Sequence, residues 1–121
     1  MTFNEVAAEL VAGCRENRTV TNLDTLYAQD AVSVEAADMG NGRETHGIAG
    51  IKGKHEWWDS AFEVLEASVS DPMPNGEDRF AVIFEMKAKN KETGVVEDMK
   101  EVALYTVSAG KISKEEFFYG V

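Results

Sequence analysis

Two side chains in the first half of the chain have the types and settings to move a proton, Glu35 and His55. Glu35 closes the stretch LYAQDAVSVE, where an apolar, strand-forming run ends on a carboxylate. A carboxylate facing an apolar pocket has its pKa raised, because burial disfavours the charged form. Such a group is a general base near neutral pH, a role worth about 10²- to 10⁴-fold in rate. Its other reading is an ordinary solvated glutamate. His55 lies between Ile51 and Trp58 on the apolar stripe of a helical segment. An imidazole there either donates to a developing oxyanion and shuttles a proton, or is satisfied by a backbone carbonyl or water. Trp58 shares that stripe and is expected to line the core or a cavity, while Trp57 points about 100° away. Among the late strands, Phe84 and Phe118 are candidates to line a cavity, and Glu101 and Glu116 are carboxylates able to reach one. His46 sits in a glycine-rich loop and is read as solvated.

Alternation leaves the direction of Glu35 open. Val32, Val34 and Ala36 share one strand face, and Ala31, Ser33, Glu35 and Ala37 share the other. If the valines face the core, Glu35 faces away, unless a bulge or a doubly buried strand intervenes.

These residues need elements to hold them. TFNEVAAELVAGC places Phe3, Val6, Ala7, Leu10, Val11 and Cys14 on one helical face, with Thr2 and Glu5 at capping-box spacing. LDTLYAQ reads as a short second helix capped by Thr21 or Asn22, and AVSVEAA as a strand. DMGNGRETHG reads as a loop, and IAGIKGKHEWWDSAF as a third helix weakened by Gly50 and Gly53. Then the period becomes two. FEVLEASVS is a strand, DPMPNGED a turn, and RFAVIFEMKAKN alternates Phe80, Val82, Phe84 and Met86 against Arg79, Glu85, Lys87 and Lys89. VVEDMKEVALYTV and KISKEEFFYG pair across SAG, with Gly110 available for positive φ. Helices first and antiparallel strands after read as α+β, a curved sheet with helices on one face. VALYTV and EEFFYG are apolar on both faces, which predicts a covered outer face and a symmetric homodimer.

Composition narrows the function classes. The 121 residues suit one domain, and 44% apolar content suits a packed core. The net charge of −10 argues against nucleic acid and against anionic membrane surfaces, both of which select clustered Lys and Arg. Cys14 is the sole cysteine, so no internal disulfide forms; it is expected to be a buried thiol. No basic leader and no apolar run near 18 residues is present, so a cytoplasmic protein is expected. His46 and His55, nine positions apart, form no metal-ligand set, and GNGRETHG lacks the spacing of a nucleotide-binding glycine loop. No serine sits in a nucleophile elbow or triad pattern.

The order helix–helix–strand–helix followed by a four-strand antiparallel meander resembles the nuclear transport factor 2-like fold, in its SnoaL-like group, related to polyketide cyclases and ketosteroid isomerases. The likeness runs through LYAQDAVSVE, HGIAGIKG and GKISKEEFFYG and spans nearly the whole chain. It implies a cystatin-like cone in a single domain, residues 1–121: a curved antiparallel sheet with three helices from the N-terminal half packed on its concave face. It implies a site in the cone for an apolar or carbonyl-bearing small molecule, with no cofactor. The family includes isomerases, cyclases and dehydratases alongside non-catalytic binding modules, so fold alone leaves both open. Counted without gaps from Tyr27, Glu35 falls on the position of the isomerase base. Tyr27 and His55 fall on or near tyrosines of the isomerase hydrogen-bond network. The isomerases complete their site with a tyrosine from the first helix and a protonated aspartate on a late strand. Here the first helix has no tyrosine, and the strand position reads Val102 or Ala103. The steroid-isomerase constellation is therefore absent. The expected ligand-lining residues are Trp58, Phe84, Glu101 and Phe118.

Overall fold

The computed structural model describes residues 1–38 and 40–120. Three helices, α1 (Phe3–Arg15), α2 (Thr19–Leu26) and α3 (Ile48–Ala61), accompany seven strands. The strands are β1 (Tyr27–Val34), β2 (Glu44–His46), β3 (Phe62–Val69), β4 (Met73–Asn75), β5 (Arg79–Asn90), β6 (Val96–Ser108) and β7 (Lys111–Phe118). They form one sheet in the order β2-β1-β7-β6-β5-β3, with β4 added to β5.

The expected α+β cone is present, with one difference in the sheet. β1 runs parallel to β7, so the sheet is mixed. The register of that pair slips between Tyr27 and Val32. Two short strands also occupy segments expected to be turns: β2 pairs with β1, and β4 with β5. The second helix begins earlier than its capping residues suggested. Thr21 and Asn22 lie inside α2, whose N-cap is Arg18 with no side-chain cap, and Tyr27 already belongs to β1.

The first helix forms as its sequence dictates. Thr2 accepts from the Glu5 backbone N–H at 3.2 Å, and Glu5 accepts from the Thr2 backbone N–H at 2.9 Å, which satisfies two free donors of the first turn. Its buried side, Val6, Ala7, Leu10 and Val11, shares one apolar cluster with Leu23 and Leu26 of α2 and Ile48 and Ile51 of α3. All of them pack on one side of the sheet, against Phe80, Val82, Ala103, Tyr105, Val107 and Ile112.

Cross-strand register sets which side chains share that concave side. Phe80 pairs with Tyr105, Tyr105 with Glu115, and Glu115 with Ser33, so one row crosses β5, β6, β7 and β1. The next row is Val82, Ala103 and Phe117, and the next pairs Phe84 with Glu101. Opposed residues project to the same face, so both acidic side chains stand among aromatic rings. The β6–β7 hairpin closes with Ala109 at φ 52° and Gly110 at φ 74°, a two-residue connection of the expected kind.

Candidate functional site

The concave side holds a connected polar network. Glu115 is 3% exposed and is the most deeply buried carboxyl of the described residues. Its two oxygens accept separately: one from the Tyr27 hydroxyl, the other from Ser33 Oγ at 2.8 Å. Ser33 Oγ in turn accepts from Lys54 Nζ at 2.8 Å. The same ammonium pairs with one oxygen of Glu35, and the Tyr119 hydroxyl donates to the other at 2.9 Å. The chain of contacts therefore runs Tyr27–Glu115–Ser33–Lys54–Glu35–Tyr119.

Each member has a local reason to be there. Tyr27 and Ser33 are six residues apart on β1, and the register slip lets both reach one residue of β7. Lys54 lies one helical turn after Ile51, so it continues the buried side of α3 while its stem passes the Phe117 ring, 5.5 Å from ammonium to centroid. Glu115, Phe117 and Tyr119 are spaced by two and share one side of β7 and its extension.

Electrostatics follows from burial among like charges. Glu101 is pushed up to about 7, first by burial, then by the Glu35 and Glu115 carboxylates, with Lys54 pulling the other way. A carboxyl so placed can exchange a proton near neutrality. The phenols of Tyr27 and Tyr105 are pushed well up, chiefly by burial and then by Glu115. Cys14 is pushed up to about 12 by burial and by Glu115. Three carboxyls, buried hydroxyls and one ammonium bring together groups that can hydrogen-bond a polar atom and exchange a proton beside apolar rings.

The residues singled out from sequence distribute as follows. Glu35 turns its carboxylate toward α3, on the side of Ala31 and Ser33, so the valines take the outer face. Tyr27 is buried and joins the network through Glu115. Glu101 and Phe84 are paired neighbours on the concave side. Trp58 is half-buried and stacks on Phe62, with centroids 4.4 Å apart. His55 is half-buried, and among the described residues it makes no hydrogen bond or ion pair; its neighbour Lys54 takes the place expected of it. Phe118 does not join the others. It pairs with Val102 on the outer face and is 51% exposed. Glu116 lies on that face beside Lys114, and His46 is exposed beside Glu44. Trp57 is exposed.

Sequence reasoning missed Glu115, Lys54, Ser33, Tyr119 and Tyr105. The signal for Glu115 and Tyr119 was parity with Phe117, and for Lys54 its spacing from Ile51. A cavity of about 460 Å³ lies elsewhere, over β3, β5 and β6, where Glu66, Ser68, Glu85, Lys87, Asp98 and Lys100 line it. Glu85 and Lys100 alternate with Phe84 and Glu101, so this cavity opens on the opposite face from the network. Among the described residues, no group of three or more His, Cys, Asp or Glu is placed to hold a metal. No helix among them is long and apolar enough to cross a membrane.

The family model of the SnoaL-like domain matches residues 1–119. The chain belongs to the SnoaL-like family. Among solved structures, a candidate SnoaL-like polyketide cyclase from Mesorhizobium loti is 35% identical, covering 98% of this chain and 100% of its own, with a TM-score of 0.91. A candidate isomerase from Bacillus subtilis has the same fold at 16% identity, covering 99% and 90%, with a TM-score of 0.81. TerC, co-crystallised with polyporic acid, shares the fold at 21% identity, covering 98% and 92%, with a TM-score of 0.75. No curated protein matches this SnoaL-like chain.

Proposed function

We propose that this SnoaL-like protein binds an apolar, carbonyl-bearing small molecule on the concave side of its sheet and acts on it without a cofactor, as an isomerase, cyclase or dehydratase. One arrangement carries this reading: Lys54 pairs with Glu35 and reaches Glu115 through Ser33, and Glu101 stands within the field of all three, beside Phe84 and Phe117. Glu35 is the base that takes a proton from carbon next to the carbonyl. Glu101, protonated below about 7, donates to the carbonyl oxygen, so an enol forms. Return of that proton from Glu35 to another carbon, with the enol hydroxyl proton going back to Glu101, completes an isomerisation; departure of a β-hydroxyl as water on the proton that Glu35 took, with the enol proton likewise returned to Glu101, completes a dehydration. Tyr27 acts from behind by holding Glu115, and His55 and Trp58 flank the site from α3. TerC, of the same fold, was co-crystallised with polyporic acid, which supports a small-molecule ligand.

The test is proton exchange. Enolisable ketones and β-dicarbonyl compounds are incubated in heavy water and followed by NMR. Exchange above the uncatalysed rate is expected, with a loss of about 100-fold or more in Glu35→Gln. Exchange at the wild-type rate in that variant removes Glu35 from the mechanism.

A second reading is a dimeric binding module without catalysis. Glu35 and Glu115 already have partners on both oxygens, which suits a structural network. The outer face also carries a row of directly paired apolar residues, Ile83, Val102 and the half-exposed Phe118, suited to a second copy. A ligand that raises the melting temperature without any exchange supports this reading.

A further inference from the structure

We infer that Lys54 is the positioning residue of the site: its ammonium, held between Ser33 and Glu35, keeps the Glu35 carboxylate on the concave side and supplies positive charge among Glu35, Glu101 and Glu115. The inference deepens the proton-transfer reading above and rests on it for its catalytic meaning.

The geometry departs from that of a surface ion pair. The side chains of Lys54 and Glu35 are 29% and 28% exposed, so both are mostly withdrawn from water. Such a pair persists only when the remaining donors and acceptors are satisfied. Here they are. Lys54 also donates to Ser33 Oγ, its ammonium faces the Phe117 ring, and the free oxygen of Glu35 accepts from Tyr119. Glu35 stands one residue beyond the end of β1, where strand pairing no longer dictates its direction. Its backbone N–H is fixed by the Arg43 carbonyl, but its carboxylate is held by Lys54 and Tyr119 alone among the described residues.

The same ammonium balances charge. Glu101 on β6 is faced by Glu35 at the end of β1, Glu115 on β7, Lys54 on α3, Tyr105 on its own strand, and beyond it Cys14 on α1. Lys54 is the sole cation of that set. Through Ser33 it is also linked to Glu115, and its loss would leave Glu35 short of a partner and Glu101 facing uncompensated negative charge.

The experiment needs no substrate. Carboxyl carbons of glutamate are labelled, the Glu101 resonance is identified by its loss in Glu101→Gln, and it is titrated by NMR. The wild-type midpoint is expected near 7. Lys54→Met is expected to raise it by about one pH unit, and Glu35→Gln to lower it by a similar amount. Lys54→Arg, which retains the charge, is expected to restore the wild-type midpoint. A wild-type midpoint in the ordinary carboxylate range overturns the inference, and so does a midpoint unmoved in both charge variants. If Lys54→Met does not fold, Lys54→Gln, which keeps a donor for Ser33 without the charge, decides the matter by the same expected rise. Midpoints that move as expected without α-proton exchange on any ketone keep the positioning role and sink the enzyme reading. Exchange that persists with unmoved midpoints does the reverse.

Discussion

Ser33 Oγ lies 2.8 Å from a Glu115 carboxylate oxygen, across the parallel pairing of β1 and β7. The same hydroxyl oxygen accepts from Lys54 Nζ at 2.8 Å, so one small side chain joins a buried acid to an ammonium on α3. Removing it leaves a buried acceptor and a half-buried ammonium each short of a partner. Ser33→Ala is expected to cost about 1–3 kcal/mol of stability, measured by urea unfolding. An unchanged midpoint would mean that the two charged groups do not depend on the hydroxyl.

Glu101 makes stability depend on pH in a defined direction. Its carboxyl titrates near 7 in the folded protein against an ordinary value of 4.5. The native state therefore holds a proton that the unfolded chain has already released, and folding weakens as pH rises through that window. The penalty is absent below about 4.5 and reaches up to about 3 kcal/mol above 7. Glu101→Gln should match wild type in thermal unfolding at pH 4 and exceed it increasingly toward pH 8. Parallel curves across the range would contradict the burial of this group.

Catalysis should share that pH dependence. The protonated Glu101 is the proposed donor to the carbonyl oxygen, so turnover is expected to fall as pH rises through about 7. Glu101→Gln should lose this falling limb together with most of the rate. A limb that persists in the variant assigns it to another group.

Cys14 should be inert while the protein is folded. Burial and the nearby Glu115 push its thiol up to about 12, which leaves almost no thiolate at pH 8. Labelling by a thiol reagent is expected to be about a hundredfold or more slower in buffer than in denaturant. Equal rates would place the thiol in solvent.

Gly13 is required by a neighbour rather than by its own conformation. A Cβ there would stand 2.3 Å from both polar atoms of the Asn22 amide, which is buried and donates to the Leu10 carbonyl at 3.2 Å. Gly13→Ala would raise helix propensity, yet it should destabilise the protein by about 1–3 kcal/mol because the amide has nowhere to go. A more stable Gly13→Ala protein in chemical denaturation would refute the contact.

Local patterns were legible from the residues themselves. The apolar stripe of α1, its capping box, the alternation of β5 and the hairpin at Ala109–Gly110 each depend on neighbours within a few positions. Those patterns also carried the resemblance to the family that the whole-chain match now shows. The direction of Glu35 was not legible, because alternation pairs it with Ala31 and Ser33 without saying which strand face the helices cover, and only the assembled sheet reveals that.

The network was least legible of all. Tyr27 and Glu115 are 88 residues apart, and Lys54 and Ser33 are 21 apart. What brings them together is β1 lying parallel to β7 with a slipped register, and α3 crossing above that seam. The sequence by itself determined the helices and the long strands, since these follow from short-range periodicity, and their order carried the resemblance to the family. The tertiary structure alone decided which carboxyls share the concave side and which cation serves them. Burial, and with it the proton affinity of Glu101, is a property of the assembled sheet and not of any segment within it.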